Sequence, residues 1–261
     1  MPDLVSAQPA VRVEEVRLAY GRAVVFETST LVIPAGVSAA LIGPNGSGKS
    51  TLLDAVSGLR PPLSGRVEVL GGEPSAARRR IAYVVQATTV PTQLPVTVRE
   101  VVTMGRFGAR GPLGRLCPDD RRRVDDALER LEVGDLARRR LDELSGGQRQ
   151  RVLVAQGLAH GADLFLLDEP VTGLDLVSRE VILQVVREEV ARGATVVSTT
   201  HDLAEARLAD LLVLLAGRVV AAGPPADVLT AAYLGEAYGG RMFTLDGGRV
   251  VMDDLGHGHS H

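Results

Sequence analysis

Cysteine, lysine and long apolar runs are nearly missing from this 261-residue chain. With Cys117 alone no disulfide framework can form, and a reducing compartment fits that usage. Between Leu116 and Pro118 it reads as a structural thiol. No stretch approaches the ~20 apolar residues that a membrane helix requires, and the longest candidate, Leu211 to Gly223, is interrupted by Gly217 and Arg218. The opening MPDLVSAQPA has neither the basic start nor the apolar run of a secretory signal. Any action at a membrane is therefore expected to come from docking on other chains. A basic excess is missing as well: the net charge of −3 speaks against a general nucleic-acid binder. The scarcity of lysine is the most informative of these absences, because of 29 Lys plus Arg only Lys49 is lysine. A general preference for arginine does not explain why one position escapes it. A compact ammonium on a flexible stem differs physically from a planar guanidinium, so position 49 is expected to need lysine for its chemistry.

What is present is enough for a large core: 45% of the residues are hydrophobic and 23% charged. Val11–Arg17 alternates apolar and charged residues and Val24–Ile33 is rich in β-branched ones, so both read as strands of an antiparallel section with Gly21 in a turn. Val37–Ile42 is a continuous small apolar run, as in a strand buried on both faces, and a helix is expected from Lys49 to Ser57. Arg66–Leu70 and Ile81–Val85 read as further strands. From about Val98 to Ala159 helical periodicity takes over (Val124, Leu128, Leu131), with thirteen arginines against ten acidic residues between Arg99 and Arg151. That balance predicts a solvated helical face, with nucleic acid a poor second, in an inserted helical subdomain. Strand–helix alternation then resumes with Leu164–Leu167, an amphipathic helix over Leu176–Ala191, and Thr195–Thr199. Two hairpins are expected, around Gly217 and around Asp246-Gly247-Gly248 between Met242–Leu245 and Arg249–Met252. There is no internal repeat.

Gly43-Pro44-Asn45-Gly46-Ser47-Gly48-Lys49-Ser50 matches G-x-x-x-x-G-K-[ST] between a buried strand and a helix, where a phosphate loop belongs. Glycines let backbone N–H groups turn toward phosphate oxygens, and the helix start adds its partial positive charge. Lys49 is expected to reach the outer phosphates, Ser50 to ligate Mg²⁺, and Thr51 to lie near the same phosphates. The alternative is a glycine-rich turn that matches by accident. Leu164–Leu167 followed by Asp168-Glu169-Pro170 is the companion element, bringing two carboxylates to the end of a central strand. Asp168 is expected to hold the Mg²⁺ hydration shell and Glu169 to polarise the attacking water as general base. A capped strand end is the plainer reading of that run taken alone.

Leu144-Ser145-Gly146-Gly147-Gln148-Arg149-Gln150-Arg151 narrows the family: it resembles the LSGGQ signature of ABC cassettes. Physically Ser145 is an N-cap, and Gly146-Gly147 leave bare N–H groups at a helix start, a second anion site. The alternative is an N-capped helix with no ligand. The resemblance covers about Val11 to Leu229 and implies a RecA-like P-loop NTPase core, an α/β fold with an antiparallel β subdomain and an inserted helical subdomain over about 98–159. Residues 230–261 are left as a C-terminal extension. It further implies that Ser145, Gly146, Gly147 and Gln148 bind the γ-phosphate of ATP held by a second copy, so that a homodimer encloses two ATP molecules. Tyr20 occupies the place of the aromatic that stacks on adenine, although an isolated tyrosine is more often core or surface. Gln86 resembles the glutamine that senses Mg²⁺ and the transmembrane partner, Gly173-Leu174-Asp175 a loop crossing the dimer interface, and His201 the histidine that contacts the γ-phosphate. A lone histidine is otherwise a structural residue.

Pro95 to Gly108, with Gly114-Arg115, Asp120-Arg121 and Asp135-Leu136-Ala137, resembles the corresponding region of importers for zinc, manganese and ferrous iron. Pro112, Leu116-Cys117-Pro118 and Val171 depart from that pattern. The implied protein is the ATPase subunit of a zinc or manganese importer, peripheral on the cytoplasmic face of the membrane. Its implied partners are permease subunits and an extracytoplasmic solute-binding protein, with no nucleic acid. A metal-chelate importer (siderophore or cobalamin) and a soluble ABC ATPase remain as alternatives. His257, His259 and His261 could bind or sense metal, or form a neutral tail.

Overall fold

The computed structural model describes residues 8–21, 23–89, 95–110, 116–239, 242–245 and 249–252. Gly114-Arg115, Pro112, the Asp246-Gly247-Gly248 turn and the three tail histidines lie outside them.

Strands β1 (Val11–Tyr20), β2 (Ala23–Ile33) and β4 (Ser64–Val69) form an antiparallel sheet in the order β2-β1-β4. β1 buries Val11, Val13, Val16 and Leu18, a set that breaks strict alternation, because register shifts around Glu14 and Glu15 insert a bulge. The central sheet has six strands in the order β5 (Ile81–Val84), β6 (Leu164–Leu167), β7 (Thr195–Thr199), β3 (Ser38–Ile42), β8 (Leu211–Leu215) and β9 (Val219–Gly223). All pairs are parallel except β8–β9. Continuous apolar runs fit strands covered on both faces. In β6, Leu164 and Leu166 enter the apolar cluster shared with the antiparallel sheet and α1 (Lys49–Val56), while Phe165 and Leu167 enter the cluster beneath the helices. Each such burial stabilises the fold by about 1.5–3 kcal/mol. β10 (Met242–Leu245) and β11 (Arg249–Met252) pair as the expected second hairpin.

The short α2 (Pro74–Ala77) precedes β5, and three longer helices fill the expected insertion: α3 (Val98–Arg110), α4 (Pro118–Arg130) and α5 (Gly146–His160). The dense charge there is not all a solvated face. Arg106 and Asp120 are 6% and 0% exposed, respectively, and are paired at 2.9 Å. Arg106 Nη1 also donates to the carbonyls of Ala159 and His160, which ties α3 to the end of α5. Burial pushes the Asp120 carboxyl up, but hydrogen bonds from Cys117 and Arg106 outweigh it and hold the group well below the usual carboxylate range. Helix α6 (Leu176–Ala191) lies between β6 and β7 in sequence, and α7 (Leu203–Ala206), α8 (Pro225–Val228) and α9 (Ala231–Tyr238) are short. α9 sets Leu234 and Ala237 in one apolar cluster with Leu212 and Leu214 of β8, so the packed chain continues past Leu229.

Candidate nucleotide site

Four neighbouring strands of the parallel sheet, β5, β6, β7 and β3, release their carboxyl ends at one edge. Gln86 follows β5, Asp168-Glu169 follow β6, Thr199-Thr200-His201 close or follow β7, and the Gly43–Ser50 loop follows β3. Ligands of open α/β sheets gather at such an edge.

The loop after β3 has a dictated backbone. Gly43, Gly46 and Gly48 all have positive φ, and a Cβ on Gly43 would lie 2.0 Å from the Leu215 carbonyl oxygen. Gly48 is the N-cap of α1 and supplies no side-chain cap, so the first N–H groups of that helix keep no side-chain acceptor. Pro44 is half-buried, Asn45 and Gly46 are exposed, Ser50 is exposed and Thr51 half-buried. Lys49 is buried and folds back along the loop, its Nζ donating to the carbonyls of Gly43 at 2.8 Å and Pro44 at 3.1 Å. Burial pulls its ammonium below the ordinary value, and the carboxylates of Glu169 and Asp168 pull the other way. Ser47 Oγ is buried without a hydrogen-bond partner among the described residues. A bare hydroxyl, uncapped N–H groups and a desolvated ammonium in one loop suit an anion with several acceptor oxygens.

At the end of β6, Glu169 is a non-glycine residue with φ of +48°. Thr199 links the two acids: its Oγ1 donates to Asp168 Oδ1 at 2.7 Å and accepts from the Glu169 amide at 2.8 Å. It is 0% exposed, and sequence reasoning missed it. The available signal was the run Ser198-Thr199-Thr200, hydroxyl residues at the end of a buried strand. Gln86 Nε2 approaches Glu169 Oε2 at 3.4 Å. A second missed residue, Gln150 of α5, is 2% exposed and accepts a 2.7 Å hydrogen bond from the Ala87 amide, which fastens the stretch after Gln86 to the helical subdomain. His201 is exposed beyond the buried Thr200. No group of three or more His, Cys, Asp and Glu forms a self-contained metal site among the described residues. A cation beside Asp168 and Ser50 would complete its shell with ligand and water oxygens, as Mg²⁺ does with phosphates.

Tyr20 ends β1 and is 68% exposed, on a hairpin whose Phe26 closes on Gly48. Ser145, Gly146, Gly147 and Gln148 stand apart from this edge, at the start of α5. Ser145 Oγ accepts from the Gln148 amide and Gln148 Oε1 accepts from the Ser145 amide, a reciprocal capping box. Gly146 is exposed with open space around it, whereas a Cβ on Gly147 would meet Ser178 Oγ at 2.5 Å and Asp175 Oδ2 at 2.6 Å. Asp175 is itself the N-cap of α6, accepting from the Ser178 amide at 2.9 Å, a bond that lowers its pKa. So the sheet edge brings together Lys49, Gln86, Asp168, Glu169 and the start of the His201 turn, and a separate surface unites Ser145–Gln148 with Asp175.

The family model described as "ABC transporter" matches residues 26–172. The chain belongs to the ABC transporter family. The zinc transport system ATP-binding protein TroB of Treponema pallidum (strain Nichols) is 38% identical over 262 residues, spanning 100% of this chain and 98% of that protein. The manganese transport system ATP-binding protein MntB of Bacillus subtilis (strain 168) is 37% identical over 236 residues, 90% of this chain and 94% of that one. Among solved structures, an inward-facing ABC transporter assigned to the metal-chelate type matches with a TM-score of 0.78 at 30% identity, covering 89% of this chain and 90% of that chain. The ATP-binding cassette MJ0796, dimeric and bound to ADP and Pi after hydrolysis, matches with a TM-score of 0.73 at 28% identity, covering 82% and 98%. The expected ABC-cassette architecture and ATPase activity follow from this membership. As an ABC subunit the chain binds nucleotide and works with membrane permeases. None of its described helices is long and apolar enough to cross a membrane.

Proposed function

We propose that the chain is the ATP-hydrolysing subunit of an importer for a divalent metal cation, zinc or manganese. In this reading it acts as a head-to-tail homodimer on the cytoplasmic face of the membrane, beneath its permease subunits, with an extracytoplasmic solute-binding protein delivering the cargo. The observation that carries the chemistry is the convergence of Lys49, Gln86, Asp168 and Glu169 on one sheet edge. The cargo rests on the likeness to zinc and manganese transport proteins. The cassette spans 11–229, its helical subdomain about 98–159, and residues 230–261 extend it.

Lys49 releases its own loop carbonyls and takes the β- and γ-phosphate oxygens, with Gly43, Pro44, Asn45, Gly46, Ser47, Gly48 and Thr51 around them. Ser50, Asp168 and Gln86 would hold Mg²⁺ with its water shell, and the ion would supply neutralisation of the phosphate charge. Glu169 accepts a proton from a water whose oxygen bonds to the γ-phosphorus as the bond to the bridging oxygen breaks and ADP leaves. His201 donates to the γ-phosphate, Tyr20 stacks on adenine, and Ser145, Gly146, Gly147, Gln148 and Asp175 of the facing copy close the site.

Glu169→Gln tests the enzyme. ATP binding is retained, turnover falls by roughly 10²–10⁴, and light scattering with saturating Mg-ATP reports a dimer. A monomer, or near-normal hydrolysis, removes Glu169 from this role. Growth of a deletion strain under chelation tests the cargo, with zinc or manganese expected to restore it. Rescue only by a siderophore or cobalamin favours the chelate reading, for which the match to the metal-chelate type transporter is the specific support.

A further inference from the structure

Arg60 lies just beyond the phosphate-loop helix, and no element of the nucleotide chemistry above uses it. Its Cζ sits over the ring of Tyr20, 5.1 Å from the centroid. Two anchors fix the guanidinium there: Nη1 donates to the carbonyl of Ala19, the residue before Tyr20, at 3.2 Å, and Nη2 faces Asp54 Oδ2 at 3.5 Å. The backbone is held too, with the Leu59 and Arg60 amides both donating to the Asp54 carbonyl. Asp54 in turn accepts from the Tyr83 hydroxyl at 3.2 Å. Burial, with the nearby Asp168 and Asp54 charges, holds the Tyr83 phenol well above its ordinary pKa, so it stays a donor. Asp54 belongs to α1, the helix that starts at Lys49. One rigid helix thus connects the phosphate loop at its first residue to the support of the Tyr20 ring near its end.

We propose that Arg60 is a positioning residue for recognition of the nucleotide base: anchored by Asp54 and the Ala19 carbonyl, it covers one face of Tyr20 and leaves the other as a preset stacking platform. This rests on the reading of Tyr20 as the base-stacking residue. A cation over one face of an aromatic ring is attracted by the ring quadrupole. A ring that is 68% exposed and already held keeps its open face toward solvent and loses less freedom when a base stacks. Stacking of this kind tolerates any base, so Arg60 strengthens base binding without choosing adenine over guanine.

Equilibrium binding to the full chain tests this with three probes, Mg-ATP, Mg-GTP and inorganic tripolyphosphate. Arg60→Gln is expected to raise the Kd for ATP and GTP alike by about 3- to 10-fold. Tripolyphosphate affinity is expected to be unchanged, and in hydrolysis KM rises while kcat is kept. Arg60→Lys keeps the charge but cannot hold the Ala19 carbonyl and Asp54 with one planar fork, so it is expected to fall between the parent and Arg60→Gln for ATP and GTP, again with tripolyphosphate affinity unchanged. In a Tyr20→Ala background Arg60→Gln is expected to add nothing. An equal loss for tripolyphosphate, or an equal loss in the Tyr20→Ala background, overturns the proposal by making Arg60 a fold residue only. If Tyr20→Ala weakens ATP binding and Arg60→Gln does not, the Arg60 role alone fails. If Tyr20→Ala leaves ATP affinity intact, the base-stacking reading fails and the proposal with it. Should Arg60→Gln not fold, the Lys variant with the same three probes decides the question.

Discussion

Two glycine-bearing helix starts among the described residues are built on different principles. The Gly43–Ser50 loop is shaped by three left-handed glycines, and its cation reaches inward onto its own carbonyls. It is a site complete in charge and backbone before any ligand arrives. The start of α5 has a satisfied capping box, and its glycine without room for a side chain, Gly147, packs against Asp175 and Ser178. Arg149 in its first turn reaches back toward the carbonyls of Leu141 and Leu144. Ser145 and Gly146 are exposed at this start, and the Ser145 amide is already bonded to Gln148. An anion held by uncharged donors alone binds weakly in water. On the proposed reading the difference teaches an order: the loop captures the nucleotide first, and the α5 start closes on phosphate already held by a second copy.

The comparison can be broken most severely at Gly43. Gly43→Ala forces a Cβ to 2.0 Å from the Leu215 carbonyl, and the loop cannot keep its shape; nucleotide affinity is expected to fall at least about 100-fold, as read by calorimetry. Lys49→Ala leaves the loop backbone in place and removes one charge-assisted arm, for an expected loss of about 10- to 100-fold in ATP affinity. Unchanged affinity would contradict the phosphate-loop assignment. Gly147→Ala sharpens the contrast from the other side. Its Cβ displaces Ser178 and Asp175, so hydrolysis is expected to drop about 10-fold and ATP-dependent dimerisation to weaken, while the Kd of the monomer for ATP stays as it was. Thr199→Val should produce the smallest change: with the Glu169 amide and Asp168 Oδ1 both losing their partner, kcat is expected to fall about 5- to 10-fold at constant ATP affinity. A lowered affinity with intact kcat would show that the hydroxyl serves the loop instead of the acids.

Much of the fold was legible because burial on two faces leaves a mark in sequence. The apolar runs of β3, β6 and β8 stand out without knowledge of their neighbours, and β5 ends one residue earlier than expected, at Val84. Among the described residues the short α2, α7, α8 and α9 carry too few turns to set up a periodicity. The site was legible where chemistry demands a linear pattern, as from Gly43 to Ser50 or at Asp168-Glu169. It was hidden where a contact depends on sheet register or helix docking. Nothing linear connects Thr199 to Asp168, Gln150 to Ala87 or Arg60 to Tyr20. The charge-dense insertion showed the same limit, since a count of arginines cannot reveal that Arg106 and Asp120 meet inside.

Glu169 sits at a backbone angle that favours glycine. An L-residue there costs about 1–2 kcal/mol, and the Thr199 hydroxyl holding its amide is part of what keeps it in place. On the proposed reading the chain thus sets its general base at a spot where a residue with no side chain would relax the backbone. Glycine at 169 would make a calmer molecule and an idle one, so durability and turnover compete at a single peptide unit.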